Sequence, residues 1–164
     1  MASKHVPVRV IGLRAEPKGF FWAVSHGTQE VPVVVGMGYV EAPKTFSFPQ
    51  GVNFLRSRFL QLITEFKIDN AGLRTPEMVR TQNEAFRQRL RVESVLLAAS
   101  SEAGIKIIQG PLATLGRLLG VKSAKTLLDS DDYCGINLEK MPTPKREAIL
   151  MSVSLLKAEN ADSN

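Results

Sequence analysis

Two arginines stand at the ends of apolar runs, where a sheet would gather the side chains of a site. Arg14 follows Ile11-Gly12-Leu13 and Arg74 follows Gly72-Leu73. A guanidinium is permanently charged and offers a planar fork of donors that suits phosphate oxygens. Arg80, Arg87, Arg89 and Arg91 follow closely, so the segment from 74 to 91 sets five arginines against Glu77 and Glu84. Arg14, Arg74, Arg80, Arg87 and Arg91 are therefore candidates for nucleic-acid phosphate contacts. A solvated helix face with internal ion pairs, Glu84 with Arg87 or Arg91, accounts for the later arginines equally well.

Other chemistries find little support. Cys134 is the only cysteine and His5 and His26 the only histidines, so no cluster is spaced to hold zinc and no nucleophile has an evident base. Cys134 reads as a small structural residue. No Gly-x-x-x-x-Gly-Lys-Ser/Thr occurs, and Gly36-Met37-Gly38 is too sparse for a phosphate loop, so no ATP, dinucleotide or other cofactor is expected. Phe20, Phe21 and Trp22 are a base-stacking platform on one reading and core residues on the stronger one.

The elements that must position these residues follow from periodicity. The β-branched run 6–13 and the aromatic run 20–26, separated by Glu16-Pro17-Lys18-Gly19, predict a hairpin. A third run, 31–40, has a proline near its start and two glycines, as an edge strand with a bulge would. Helical spacing of Val52, Leu55, Phe59, Leu62, Ile63 and Phe66 predicts a helix over 51–66, with a short strand near 68–73. A second helix is expected over 84–103, stopped by Gly104, and a strand at 105–108. Pro111 opens a leucine-rich helix ending at Gly120, 123–128 forms a short one, and an acidic connection at 129–141 leads to a last helix from Thr143 or Pro144 to Lys157. Leu112, Leu115 and Leu119 suit core packing, or a partner helix.

A chain of 164 residues with 44% hydrophobic composition is sized for one domain, expected to span 1–164 with an ordered core at 6–158 and a polar tail at 159–164. No apolar run is long enough to cross a membrane, and the start, Met-Ala-Ser-Lys-His, has no apolar block of a secretory signal, so a soluble, cytoplasmic protein is expected. The net charge of +5 favours encounters with polyanions without requiring them.

The order and local text of these elements resemble the RNase H-like superfamily, specifically RuvC-type Holliday-junction resolvases. Such resolvases open with a strand ending in Ile-Gly-Ile-Asp and a second strand with Gly-aromatic-Gly-Val. The counterparts are Ile11-Gly12-Leu13-Arg14 and Phe21-Trp22-Ala23-Val24. The family's segment Phe-x-Pro-Asp, before a strand ending in a catalytic Glu, is matched by Phe66-Lys67-Ile68-Asp69 before Leu73-Arg74. Its small-residue helix is matched by 91–99, and its last acidic helix, with text like Asp-Ala-Leu-Ala-Ile-Ala, by Arg146-Glu147-Ala148-Ile149-Leu150-Met151-Ser152-Val153.

The resemblance implies a mixed five-stranded sheet, three antiparallel strands and then parallel ones, with helices on both faces. In the family, clustered carboxylates hold two divalent metals. Arg14 and Arg74 fall where two of those acids belong, a change of about four charge units, and Glu147 alone is near a family acid position. The resemblance therefore implies a non-catalytic domain that binds DNA or RNA through an arginine-rich face. Two alternatives stand beside it. One is a protein-interaction or scaffold module, with a protein partner or a second copy of the chain. The other is a divergent nuclease in which Glu16, Glu77 and Glu147, each within three positions of an expected acid, form a displaced cluster. Turn and helix-start chemistry explains Glu16 and Glu77 more simply.

Overall fold

The computed structural model describes residues 6–159. Strands β1 (Val10–Glu16), β2 (Gly19–Gly27) and β3 (Pro32–Glu41) are followed by helix α1 (Phe48–Phe66) and strand β4 (Asn70–Arg74). Next come helix α2 (Glu84–Glu102), strand β5 (Lys106–Gly110) and helices α3 (Leu112–Leu119) and α4 (Ala124–Leu128). A small hairpin of β6 (Asp132–Tyr133) and β7 (Ile136–Asn137) precedes helix α5 (Thr143–Ser154). The main sheet has the order β3-β2-β1-β4-β5, with β3, β2 and β1 antiparallel and β1, β4 and β5 parallel. This is the mixed five-stranded sheet that the sequence predicts. The proposed tail falls almost wholly outside the described residues.

Alternation along the strands assigns the two faces. Ile11, Leu13, Phe20, Val24 and Leu73 point to one side, where Leu55, Phe59 and Leu62 of α1 and Val92 and Leu96 of α2 complete a dry core. Gly12, Ala23, Ser25 and Gly72 point to the other, beneath α5. Ser25 donates to Ser152 in a fully buried hydroxyl hydrogen bond of 2.8 Å across that contact.

Two glycines set how closely α5 approaches. A Cβ at Gly12 would lie 2.0 Å from the Ala148 carbonyl oxygen and 2.4 Å from the Ser152 nitrogen. At Gly72 it would meet the Met151 side chain at 2.9 Å. The first obstacle is backbone and cannot turn aside. Gly12→Ala is therefore expected to destabilise the fold by at least about 1–3 kcal/mol, the usual range for overpacking, whereas Gly72→Ala costs less because Met151 can shift its rotamer. Urea titration of both variants checks the order.

Several boundaries differ from expectation. Residues 6–9 are not strand, because the neighbours of β1 begin opposite Val10, at Asn70 and Ser25. At its other end β1 runs on through Arg14 to Glu16, which pairs with Gly19, so Glu16 belongs to the strand and the turn is only Pro17-Lys18. Helix α1 starts earlier than apolar spacing suggests, since Ser47 and Gln50 form a reciprocal capping box with Pro49 in the first turn. α5 stops at Ser154, and Lys157 bridges to Thr28 instead. The bulge predicted for the third strand is present: Val24 and Ser25 of β2 pair with Gly36 and Val34 of β3, leaving Val35 as the extra residue. Gly36 and Gly38 have a further cause: Trp22 and Phe66 occupy the space a side chain would take. Cys134 is exposed and lies with Gly135 at the tip of the β6–β7 hairpin, both with positive φ.

Candidate functional site

The C-terminal ends of β1 and β4 lie side by side in the sheet, and both Arg14 and Arg74 point to the α5 face. The first buried turns of α5 bring Glu147 between them. Arg14 Nε donates to Glu147 Oε2 at 2.6 Å, and Arg74 Nη2 lies 3.7 Å from Glu147 Oε1. The outer sides of the two guanidiniums meet their own neighbours in sequence. Arg14 Nη1 reaches Glu16 at 3.1 Å and Arg74 Nη2 reaches Glu77 at 2.9 Å. Each arginine also donates to the carbonyl of its following residue, Ala15 or Thr75. Arg74 is only 5% exposed, and its Nε has no hydrogen-bond partner among the described residues.

A second ion pair closes the cluster from α2. Arg89 Nε donates to Glu93 Oε1 at 3.2 Å, and Arg89 Nη2 donates to the Arg74 carbonyl at 3.2 Å. Burial, reinforced by the like charges of Arg14 and Arg74, pulls Arg89 down to about 10. Burial likewise raises the Glu93 carboxyl above its usual range, against the pull of Arg89. Both shifts have the same meaning: desolvation outweighs attraction within this pair. Replacing both partners by apolar residues, Arg89→Met with Glu93→Leu, is accordingly expected to be neutral or to stabilise by up to about 4 kcal/mol, while Glu93→Leu alone costs about 3–5 kcal/mol by stranding Arg89. A double-mutant cycle in urea checks this.

The five arginines proposed for phosphate contacts thus divide. Arg14 and Arg74 turn inward and are held by Glu16, Glu77 and Glu147. Arg80, Arg87 and Arg91 are exposed; Glu84 pairs with Arg87 at 3.1 Å and with Arg91 at 3.5 Å, and no ion pair involves Arg80 among the described residues. The three candidate acids also converge on the arginines rather than on one another. No group of three His, Cys, Asp or Glu side chains among the described residues is arranged to hold a metal. The donor set does not fit a divalent cation, because an ion near Glu147 would face two guanidiniums that already take its oxygens.

Arg89 and Glu93 do not stand out in the sequence as site residues. Their signal is a four-residue spacing of opposite charges on a helix, which usually marks a solvated pair and is buried here only because α2 packs on the sheet. Phe20 is core, and Trp22 packs at 5.4 Å on Phe66. Phe21, paired at 4.5 Å with half-exposed Tyr39, and Trp22 both stay partly open.

No family model matches the sequence, and a search of curated proteins finds no match. Solved structures do match. RuvC of Thermus thermophilus aligns over 90% of this chain and 92% of its own, with a TM-score of 0.73 at 15% identity. The same protein in complex with a Holliday junction substrate aligns over 90% and 91%, with a TM-score of 0.70 at 14% identity. The yeast mitochondrial Holliday junction resolvase Ydc2 aligns over 93% of this chain and 79% of its own, with a TM-score of 0.62 at 12% identity. Strand order, mixed pairing and near-complete coverage agree: the chain has the RNase H-like fold in the form seen in the RuvC-type resolvases.

Proposed function

We propose that this chain is a non-catalytic RuvC-like domain that binds nucleic acid across the face beside the Arg14–Glu147–Arg74 cluster. The single observation that carries the reading is that cluster, with Arg14 Nε 2.6 Å from Glu147 and Arg74 bridging Glu147 and Glu77. Two guanidiniums stand at the strand ends and are paired with Glu16, Glu77 and Glu147, so the carboxylates that metal-assisted hydrolysis needs are already taken by the chain's own cations. With Arg14 and Arg74 committed to carboxylates, phosphate contacts fall to the exposed Arg80, Arg87 and Arg91. The solved RuvC complex with a Holliday junction substrate makes DNA, branched DNA included, the first ligand to try.

The test is binding across a salt series. Affinity for DNA is expected to fall steeply with salt, and each of Arg80→Ala, Arg87→Ala and Arg91→Ala to reduce the logarithmic slope by about one. Absence of binding at low salt sinks the proposal. Cleavage of branched or hybrid substrates with magnesium or manganese, lost in Glu16→Gln or Glu147→Gln, revives the displaced-cluster nuclease. One observation favours a protein partner as the second reading: edge strand β3 exposes Val33 and Val35, and an open apolar edge invites strand pairing. Concentration-dependent sedimentation, with Val33→Lys as control, separates that case.

A further inference from the structure

Outside the cluster, a cavity of about 220 Å³ with both polar and apolar lining lies between the β3–α1 connection, the start of α1, the β1–β2 turn and α2. Its walls are rings and apolar groups, with Pro43 and Phe46 from the loop and Phe48, Val52 and Leu55 from α1. Its rim holds Lys18 and Lys44, both exposed and neither in an ion pair among the described residues. Phe46, just before α1, and Phe48, its first residue, remain 43% and 42% exposed, an unusual state for two neighbouring phenyl rings. Both are held in position. Phe46 meets Phe54 edge-on at 6.0 Å, and the Arg91 guanidinium lies over the Phe48 ring at 5.5 Å.

The cavity adjoins the cluster through two elements. Gln88 and Val92 of α2 line it, while their successors Arg89 and Glu93 form the buried pair. Glu16 pairs with Arg14, and the next residues, Pro17 and Lys18, border the cavity. A strand lying across the cluster would therefore pass its rim.

We propose that this cavity receives one unpaired nucleotide of the bound nucleic acid, its base against Phe46 and Phe48 and its phosphate between Lys18 and Lys44. The inference rests on the binding function proposed above and adds a preference within it. The volume, below the roughly 300–1,000 Å³ of sites that enclose a drug-sized ligand, suits a single ring system with its phosphate left outside. Rings give affinity without base identity, since every base has a stacking face, and lysines hold phosphate as point charges. A fully paired duplex keeps its bases stacked on one another and cannot use the cavity.

The experiment compares a blunt duplex with the same duplex carrying an unpaired 2-aminopurine, read by anisotropy and by 2-aminopurine fluorescence. The unpaired form is expected to bind about tenfold tighter, within the range for one stacked base, with quenching of the probe. Phe46→Ala with Phe48→Ala is expected to bring the two affinities within about twofold of each other, and Lys18→Ala with Lys44→Ala to weaken the unpaired form alone. Circular dichroism and melting confirm that each variant is folded. Because Phe46 packs on Phe54 of α1 and Phe48 begins that helix, Val52→Phe, which fills the cavity without removing the rings, provides an independent block and is expected to abolish the preference. A preference that survives either the phenylalanine variants or Val52→Phe overturns the proposal. Equal binding of the two duplexes by the wild type overturns it while leaving nucleic-acid binding intact, and no binding of either removes both.

Discussion

Glu147→Leu is expected to destabilise the protein by about 3–5 kcal/mol, the cost of removing one partner from a buried ionic network. Glu147 is buried and faces both arginines, and the side chains of Arg14 and Arg74 are only 15% and 6% exposed. Without the carboxylate, two positive charges remain in a low-dielectric pocket. Glu16 and Glu77 are more open to solvent, at 28% and 49%, and screening weakens their compensation. Glu77→Gln should therefore cost no more than about 1 kcal/mol. The decisive variant is the triple replacement Arg14→Met, Arg74→Met, Glu147→Leu. Removing these three charges together should recover most of the loss, because apolar replacements of buried ion networks are commonly neutral or stabilising. Urea unfolding with unchanged m-values measures all three. A loss below about 1 kcal/mol for Glu147→Leu, outside the range for stranded buried charges, would mean that Arg14 and Arg74 reach water and that the cluster is not a sealed ionic network.

The second large effect is a gain. Arg14→Asp with Arg74→Glu should convert the cluster into a site for divalent cations. The substitutions keep the strand ends, the α5 approach and Glu147 in place, and turn the charge at two positions from positive to negative. Apo, this variant should be less stable than wild type through carboxylate repulsion. Manganese should restore it, by about 2.7 kcal/mol at a concentration one hundred times the dissociation constant. Wild type should show no such dependence, and adding Glu147→Ala to the double variant should abolish it. Calorimetric titration with manganese alone reads the binding directly. If the double variant folds and binds no metal, the strand ends lack the geometry of a metal frame, and Arg14 and Arg74 occupy those positions without replacing anything.

The elements were legible because their signals are local. Alternating β-branched runs, the helical spacing of Leu55, Phe59 and Leu62, and stops at Gly104 and Gly120 each act within a few residues. Strand limits were less legible: residues 6–9 have strand composition, but a strand exists only where a neighbour completes its hydrogen bonds. The site was visible in part. Arg14, Arg74 and Glu147 could be aligned with positions of a known site, and their meeting at 2.6 and 3.7 Å follows from the β1–β4 pairing and the course of α5. The pair Arg89–Glu93 and the cavity beside Phe46 and Phe48 had no comparable signal. One looked like an ordinary surface pair, and the other needs three separated segments to exist.

By itself, the sequence determined the residue types at the strand ends, the order of the helices and of the five main-sheet strands, and the glycines that let α5 lie on the sheet, while the β6–β7 hairpin falls in a stretch that reads as a connection. Tertiary structure decided what the arginine charges do. Arg14 and Arg74 are cancelled inside, while Arg80, Arg87 and Arg91 stay at the surface, two of them partly paired with Glu84. The reason is physical: the net charge of +5 is a sum over the chain, whereas the field at a site depends on distance and burial, which only the packing of α2 and α5 against the sheet sets.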